Sequence, residues 1–250
     1  MAEFILEAKG LTKEFGGFLA VSGVDLKVRR GSIHALIGPN GAGKTTVFNL
    51  LSKFLEPTAG CILYNERDIT RLRPAKVARL GMVRSFQISA VFPHLTVREN
   101  VRVALQRQLG TSFQFWRPGR TLYRLNERAD ELIASVGLRD FVHALAADLP
   151  YGRRRALEIA TTLSLDPELL LLDEPMSGLG REDIGRVSEL IRSVGRTHTV
   201  LMVEHNLSVV SALSDTITVM ARGQVLAQGA YAEVSMNPDV RAAYMGSAHA

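Results

Sequence analysis

Gly38 to Thr45 reads Gly-Pro-Asn-Gly-Ala-Gly-Lys-Thr, which has the residue types and spacing of a loop that holds phosphate. Gly41 and Gly43 let the backbone turn so that successive N–H groups face one anion. A helix starting near Gly43 adds the positive end of its dipole. Lys44 would then neutralise the β- and γ-phosphates of a nucleoside triphosphate, and Thr45 would ligate Mg2+. Pro39, Asn40, Ala42 and Thr46 complete the cradle, with Gly38 at its start.

A second group of reactive side chains lies far along the chain. Asp173 and Glu174 follow the apolar run Leu169-Leu170-Leu171-Leu172, and His205 follows Val200-Leu201-Met202-Val203-Glu204. If both runs are strands, these side chains stand at the carboxyl edge of a sheet, where ligands of open α/β folds bind. Asp173 suits Mg2+, directly or through water, and Glu174 can polarise an attacking water as general base. His205 at its strand end would face the γ-phosphate. Taken without the phosphate loop, two acids at a strand end read equally well as a solvated turn.

The flanking elements are those such a site needs. Residues 32–37 read as a buried strand and 44–55 as a helix, giving the order strand, loop, helix. Residues 19–28 carry short alternating stretches such as 24–28, and 61–64 is another short strand candidate, so the first third reads as a β-rich layer around the loop. Helical spacing then appears over 96–108, 122–136, 152–165 and 181–194, with strands at 169–172 and 199–203 and a further helix from about Asn206. Between the first two helices, Pro118 and two glycines in GTSFQFWRPGR stop a helix, and Trp116 is placed in an exposed loop. Strands alternating with helices at both ends and a helical middle give an α/β core interrupted by a helical insert.

The 250 residues suit one large domain or a core with a subdomain. A net charge of +5 comes from Lys and Arg spread along the chain among acids, which reads as a solvated surface rather than a nucleic-acid patch. The single Cys61 excludes an internal disulfide and points to a reducing compartment. No run approaches the ~18 apolar residues of a membrane-spanning helix, so work at a membrane would need another chain as anchor.

With these motifs in this order, the chain resembles the nucleotide-binding subunit of an ABC transporter over essentially its whole length. The resemblance implies a P-loop NTPase (RecA-like) α/β core with an N-terminal antiparallel β layer. Residues 1–87 and 161–250 would form that core, and 88–160 an inserted α-helical subdomain. Gly38–Thr45 then corresponds to Walker A, residues 169–173 to Walker B, Glu174 to the catalytic base and His205 to the switch histidine. Gln87, in Arg84-Ser85-Phe86-Gln87, resembles the glutamine that links Mg2+ and water to the membrane partner. Phe15 falls where the family stacks an aromatic on adenine, although a Phe near a strand end also reads as core.

Four stretches lean toward importers of branched-chain and other hydrophobic amino acids: KEFGGFLAV, RSFQ, LPYG…RALEIA, and the ending from Val240 to Gly246. The resemblance implies ATP and Mg2+ as cofactors and pairing with a second ATPase subunit, the same or different. It further implies two membrane permeases, an indirect substrate-binding protein and a peripheral place on the cytoplasmic face of the inner membrane. Nucleic acid is not among the implied partners. Alternatives left open are a urea or amide importer, a lipid exporter, and an ABC ATPase acting on nucleic acid or ribosomes.

Two departures stand out. The signature segment reads Leu149-Pro150-Tyr151-Gly152-Arg153, which lacks the usual Ser and first Gly, so Gly152 at a helix start and Arg153 are the expected contacts to the partner's nucleotide. Arg153 reads equally well as part of a basic helix face. Gly180 stands where the family carries an Asp or Asn that bonds across the dimer.

Overall fold

The structure is a computed structural model that describes residues 3–85, 91–106 and 123–245. Gln87 and Trp116 lie outside the described residues. The chain divides into two compact units: Met1–Arg84 with Glu168–Pro175 and Ile191–Ala250, and Ser85–Pro167 with Met176–Leu190.

In the first unit, strands β1 (Phe4–Phe15), β2 (Phe18–Arg29), β4 (Ala59–Tyr64) and β5 (Arg67–Asp68) form an antiparallel sheet in the order β2-β1-β4-β5. This is the expected β layer. The second sheet runs β10-β9-β3-β8-β7-β6. Its strands are β3 (Ile33–Ile37), β6 (Met82–Arg84), β7 (Leu169–Asp173), β8 (Thr199–Val203), β9 (Thr216–Ala221) and β10 (Gln224–Gly229). All pairings are parallel except β9 with β10. Every residue of β3, β7 and β8 is buried, as expected of unbroken apolar strands covered on both faces. Helix α1 (Lys44–Leu51) packs its Val47, Phe48, Leu50 and Leu51 into a core shared with Leu6 and Leu26 of the β layer and Leu171 and Leu201 of the parallel sheet.

Several buried groups are polar, and one of them is a histidine. The His34 ring lies fully inside, with Nε2 2.8 Å from Thr218 Oγ1 and Nδ1 without a partner. Burial pushes its pKa from 6.5 down to about 4. Above pH 6.5 the imidazole is neutral in folded and unfolded chain alike. Between there and about pH 4, only the unfolded chain takes up the proton. Stability therefore falls with decreasing pH across that window, by up to about 1.4 kcal/mol per pH unit from this group. Denaturant midpoints measured from pH 7 to 5 should show the slope in the parent chain and a smaller one in His34→Gln.

The chain returns to the first unit through α7 (Leu207–Leu213), α8 (Tyr231–Met236) and α9 (Pro238–Met245), and α2 (Pro74–Arg79) leads into β6. The regular elements among the described residues of the second unit are helices. Its α3 (Val97–Leu105) starts at a capping box in which the Thr96 hydroxyl accepts from the Glu99 N–H and the Glu99 carboxylate accepts from the Thr96 N–H. Helix α4 (Asn126–Ser135) is joined to α3 by a two-pronged Arg98–Asp130 pair, both contacts at 2.8 Å. Helix α5 (Tyr151–Leu163) packs against both. Helix α6 (Arg181–Gly195) runs from this unit into the first.

Candidate nucleotide site

Strand β3 ends at Ile37, and the loop that follows crosses the carboxyl edge of the parallel sheet before α1 begins. Two of its glycines are required by neighbours. A Cβ on Gly38 would collide with the Met220 carbonyl oxygen, and one on Gly43 would stand 2.8 Å from the Ala20 carbonyl at a backbone φ of +95°. Gly43 also starts α1, and no side chain caps that end. The helix therefore presents its first N–H groups and positive dipole end to the loop, an arrangement suited to phosphate. Thr45 is exposed in the first turn, Thr46 and Pro39 are half-buried, Gly41 and Asn40 are exposed, and Ala42 is buried.

Lys44 is buried at 8% exposure, and its Nζ donates to the carbonyls of Gly38 at 2.8 Å and Pro39 at 2.9 Å. Burial pushes its pKa below the ordinary 10.5, and the carboxylate of Glu174 opposes that shift. An ammonium drawn out of water in this way has a strong incentive to meet an anion. The uncapped helix end and the buried cation are the two features of this structure that fit a polyphosphate.

Asp173 closes β7 at 4% exposure. Parallel pairing puts it beside Val203, the last residue of β8. Glu174 follows with a backbone φ of +44°, and its N–H donates to the Val203 carbonyl at 3.0 Å. A non-glycine residue held there costs about 1–3 kcal/mol, a strain that clusters at functional sites. It turns Glu174 out of the strand's alternation, onto the same edge as Lys44. His205 is exposed just past β8, and its N–H donates to the carboxylate of Glu204, which is fully buried and also accepts from the Asn206 N–H. Asn206 then caps α7 by accepting from the Ser208 and Val209 N–H groups. The phosphate loop, Asp173, Glu174 and His205 thus share one sheet edge.

Phe15 pairs with Phe18 across the Gly16-Gly17 turn of the β1–β2 hairpin, and both rings face solvent, 44% and 69% exposed. Phe15 is therefore not a core residue. The Lys13 ammonium sits 5.1 Å from its ring centroid. Strand β2 leads from Phe18 to Ala20, which abuts Gly43. Phe18 is a second exposed aromatic that sequence reasoning missed; its pairing opposite Phe15 follows from the Gly-Gly turn.

The signature residues belong to the second unit. Pro150 precedes α5, and Gly152 is buried so closely that a Cβ there would collide with the Asp183 carboxylate. Arg153 donates from Nη1 to the Gly137 carbonyl at 2.8 Å and lies 4.9 Å from the Phe141 ring centroid. Its guanidinium is thus engaged by neighbours in its own unit, in keeping with the basic-face alternative. Gly180 is exposed and has open space around its Cα.

A family profile described as ABC transporter matches residues 21–177, which is more than half of the chain. The chain belongs to the ABC transporter ATP-binding family. Residues 224–250 also match a profile described as branched-chain amino acid ATP-binding cassette transporter. Over 255 aligned residues the chain is 42% identical to the Pseudomonas aeruginosa high-affinity branched-chain amino acid transport ATP-binding protein BraF, spanning 99% of this chain and 100% of that one. The Escherichia coli protein LivG of the same description is 40% identical, again spanning 99% and 100%. An ATP-binding cassette of an ABC transporter in its ADP conformation superposes with a TM-score of 0.84 at 26% identity, covering 98% of this chain and 100% of the other. A nucleotide-free cassette does so with a TM-score of 0.82 at 27% identity, covering 96% and 98%. The P-loop α/β fold and ATP hydrolase class follow from these likenesses. Among the described residues no helix is long and apolar enough to cross a membrane.

Proposed function

We propose that this chain is the ATP-hydrolysing subunit of an importer of branched-chain or other hydrophobic amino acids. The observation that carries the catalytic part is the meeting of Lys44, Asp173, Glu174 and His205 at one sheet edge in front of an uncapped helix end. Full-length similarity to BraF and LivG supports the substrate class.

In this reading residues 38–46 wrap the polyphosphate of ATP, and Lys44 exchanges its loop carbonyls for phosphate oxygens. Thr45 and Asp173 supply hard oxygen donors that suit Mg2+, which would add charge neutralisation on the phosphates. Glu174 accepts a proton from the attacking water, and His205 stands by the γ-phosphate. The protein's contribution is positioning and fixed charge. Gln87, with Thr45 and Asp173, completes the proposed metal and water set. Gly152, with Arg153 beside it, faces the nucleotide of a second ATPase subunit. The inserted segment 88–160 meets two membrane permeases at the cytoplasmic face of the cell membrane, and a substrate-binding protein delivers the amino acid to them.

Reconstitution of the chain with its permeases in vesicles tests this. ATP-dependent leucine uptake is the expected result; urea uptake or lipid release without it would replace the substrate assignment.

The exposed Phe15 and Phe18 rings are proposed as the platform for adenine. Base stacking on an aromatic contributes about 1–3 kcal/mol, so Phe15→Ala should weaken ATP binding roughly five- to 150-fold. Calorimetric titration with ATP and with inorganic triphosphate checks this, since only the nucleotide should lose affinity.

A further inference from the structure

Arg84 ends β6 and is held through both of its Nη atoms by residues of the first unit. Its Nη2 donates to Asp173 Oδ2 at 2.6 Å, and Nη1 donates to Asn49 Oδ1 at 2.6 Å and to Ser52 Oγ at 2.9 Å. The guanidinium lies 4.8 Å from the Phe48 ring centroid and 5.3 Å from that of Phe54. Both members of the ion pair are nearly buried, with side chains 12% and 6% exposed. Such a pair stands only if its geometry is good and further hydrogen bonds support it; Arg84 Nη1 makes two of these on α1 and its C-cap, while Nε is buried without a partner. Thr45, Asn49 and Ser52 stand at i, i+4 and i+7, one stripe of that helix and its C-cap. The stripe that Arg84 grips therefore starts at Thr45.

We propose that Arg84 is a positioning residue for the metal site: it ties the helix that carries Thr45 to the strand end that carries Asp173, and so fixes the gap between the two oxygen donors. This rests on the reading of Thr45 and Asp173 as Mg2+ ligands. Holding Asp173 by Oδ2 also fixes the carboxylate's rotation. Carboxylates that bind metal depend on such supporting hydrogen bonds. Only a planar, multi-donor cation can span three acceptors on two elements; a lysine ammonium in the same place keeps the charge beside Asp173 and loses the span.

The test is calorimetric binding of ADP with Mg2+ and with chelator, in two variants confirmed as folded by thermal melting. Arg84→Lys retains a cation beside Asp173. Asn49→Ala/Ser52→Ala retains Arg84 and its ion pair and cuts only the tie to α1. In each, the Mg2+-dependent gain in ADP affinity should fall by about tenfold relative to the parent chain, while affinity in chelator stays as in the parent. An undiminished Mg2+ gain in both variants overturns the role of Arg84. So does an equal loss with and without metal, which would mark general damage to the loop. A parent chain whose ADP affinity ignores Mg2+ would instead refute the metal reading of Thr45 and Asp173, on which this inference rests.

Discussion

Glu174→Gln should bind ATP as the parent chain does and release phosphate about 10²–10⁴ times more slowly, the range expected for loss of a general base. The substitution is isosteric and leaves the backbone hydrogen bond from residue 174 to Val203 in place. Removing the carboxylate also removes a negative charge close to Lys44 that repels an incoming polyphosphate, so nucleotide affinity should hold or rise slightly. Phosphate release near the parent rate would refute Glu174 as the base. A companion variant separates chemistry from strain. Glu174 adopts a φ of +44°, a conformation that glycine takes without penalty. Glu174→Gly should therefore gain thermal stability of order 1 kcal/mol while losing hydrolysis as fully as Glu174→Gln does. A gain in stability coupled to a loss of turnover is the mark of a residue kept in a strained place for its chemistry.

The strands that position this carboxylate were readable because they have no polar alternation. Leu169–Leu172 and Val200–Val203 are apolar at every position, and a strand buried on both faces has no other signature. Their polar followers, Asp173, Glu174 and His205, could then be placed at one edge by topology alone. Strand β6 has three residues, too short for any period to show, and β9 and β10 follow from pairing rather than pattern. Arg84 was invisible as a site residue for the same reason. Its carboxylate partner lies 89 positions away, and only the neighbouring parallel strands β6 and β7 bring the two together. Phe15 shows the complementary limit. Residue type cannot tell an adenine platform from a core ring, whereas the two-residue Gly16-Gly17 turn decides it by projecting the hairpin end into solvent.

Lys44→Ala should lower ATP and ADP affinity by about 2–4 kcal/mol, the usual effect of truncating a buried, hydrogen-bonded charge at a binding site. Adenosine, which has no phosphate, should bind equally to parent and variant, so equal loss for adenosine and ATP would mean that the loop has collapsed. The direction of the Lys44 pKa shift supplies an independent check. Without nucleotide, burial holds the ammonium below its ordinary 10.5. A polyphosphate at the loop stabilises the charged form and raises that value. Over the pH interval between the two values, binding must take up a proton, so ATP affinity falls as pH rises through it. The interval opens on the alkaline side and lies partly below 10.5, because desolvation has already moved the free protein's value down. The same titration with Lys44→Ala has no ammonium to protonate at this position. Its affinity, weaker throughout, should lose that part of the pH dependence. A parallel decline in both proteins would mean that another group takes up the proton and that Lys44 is not the cation facing the phosphates.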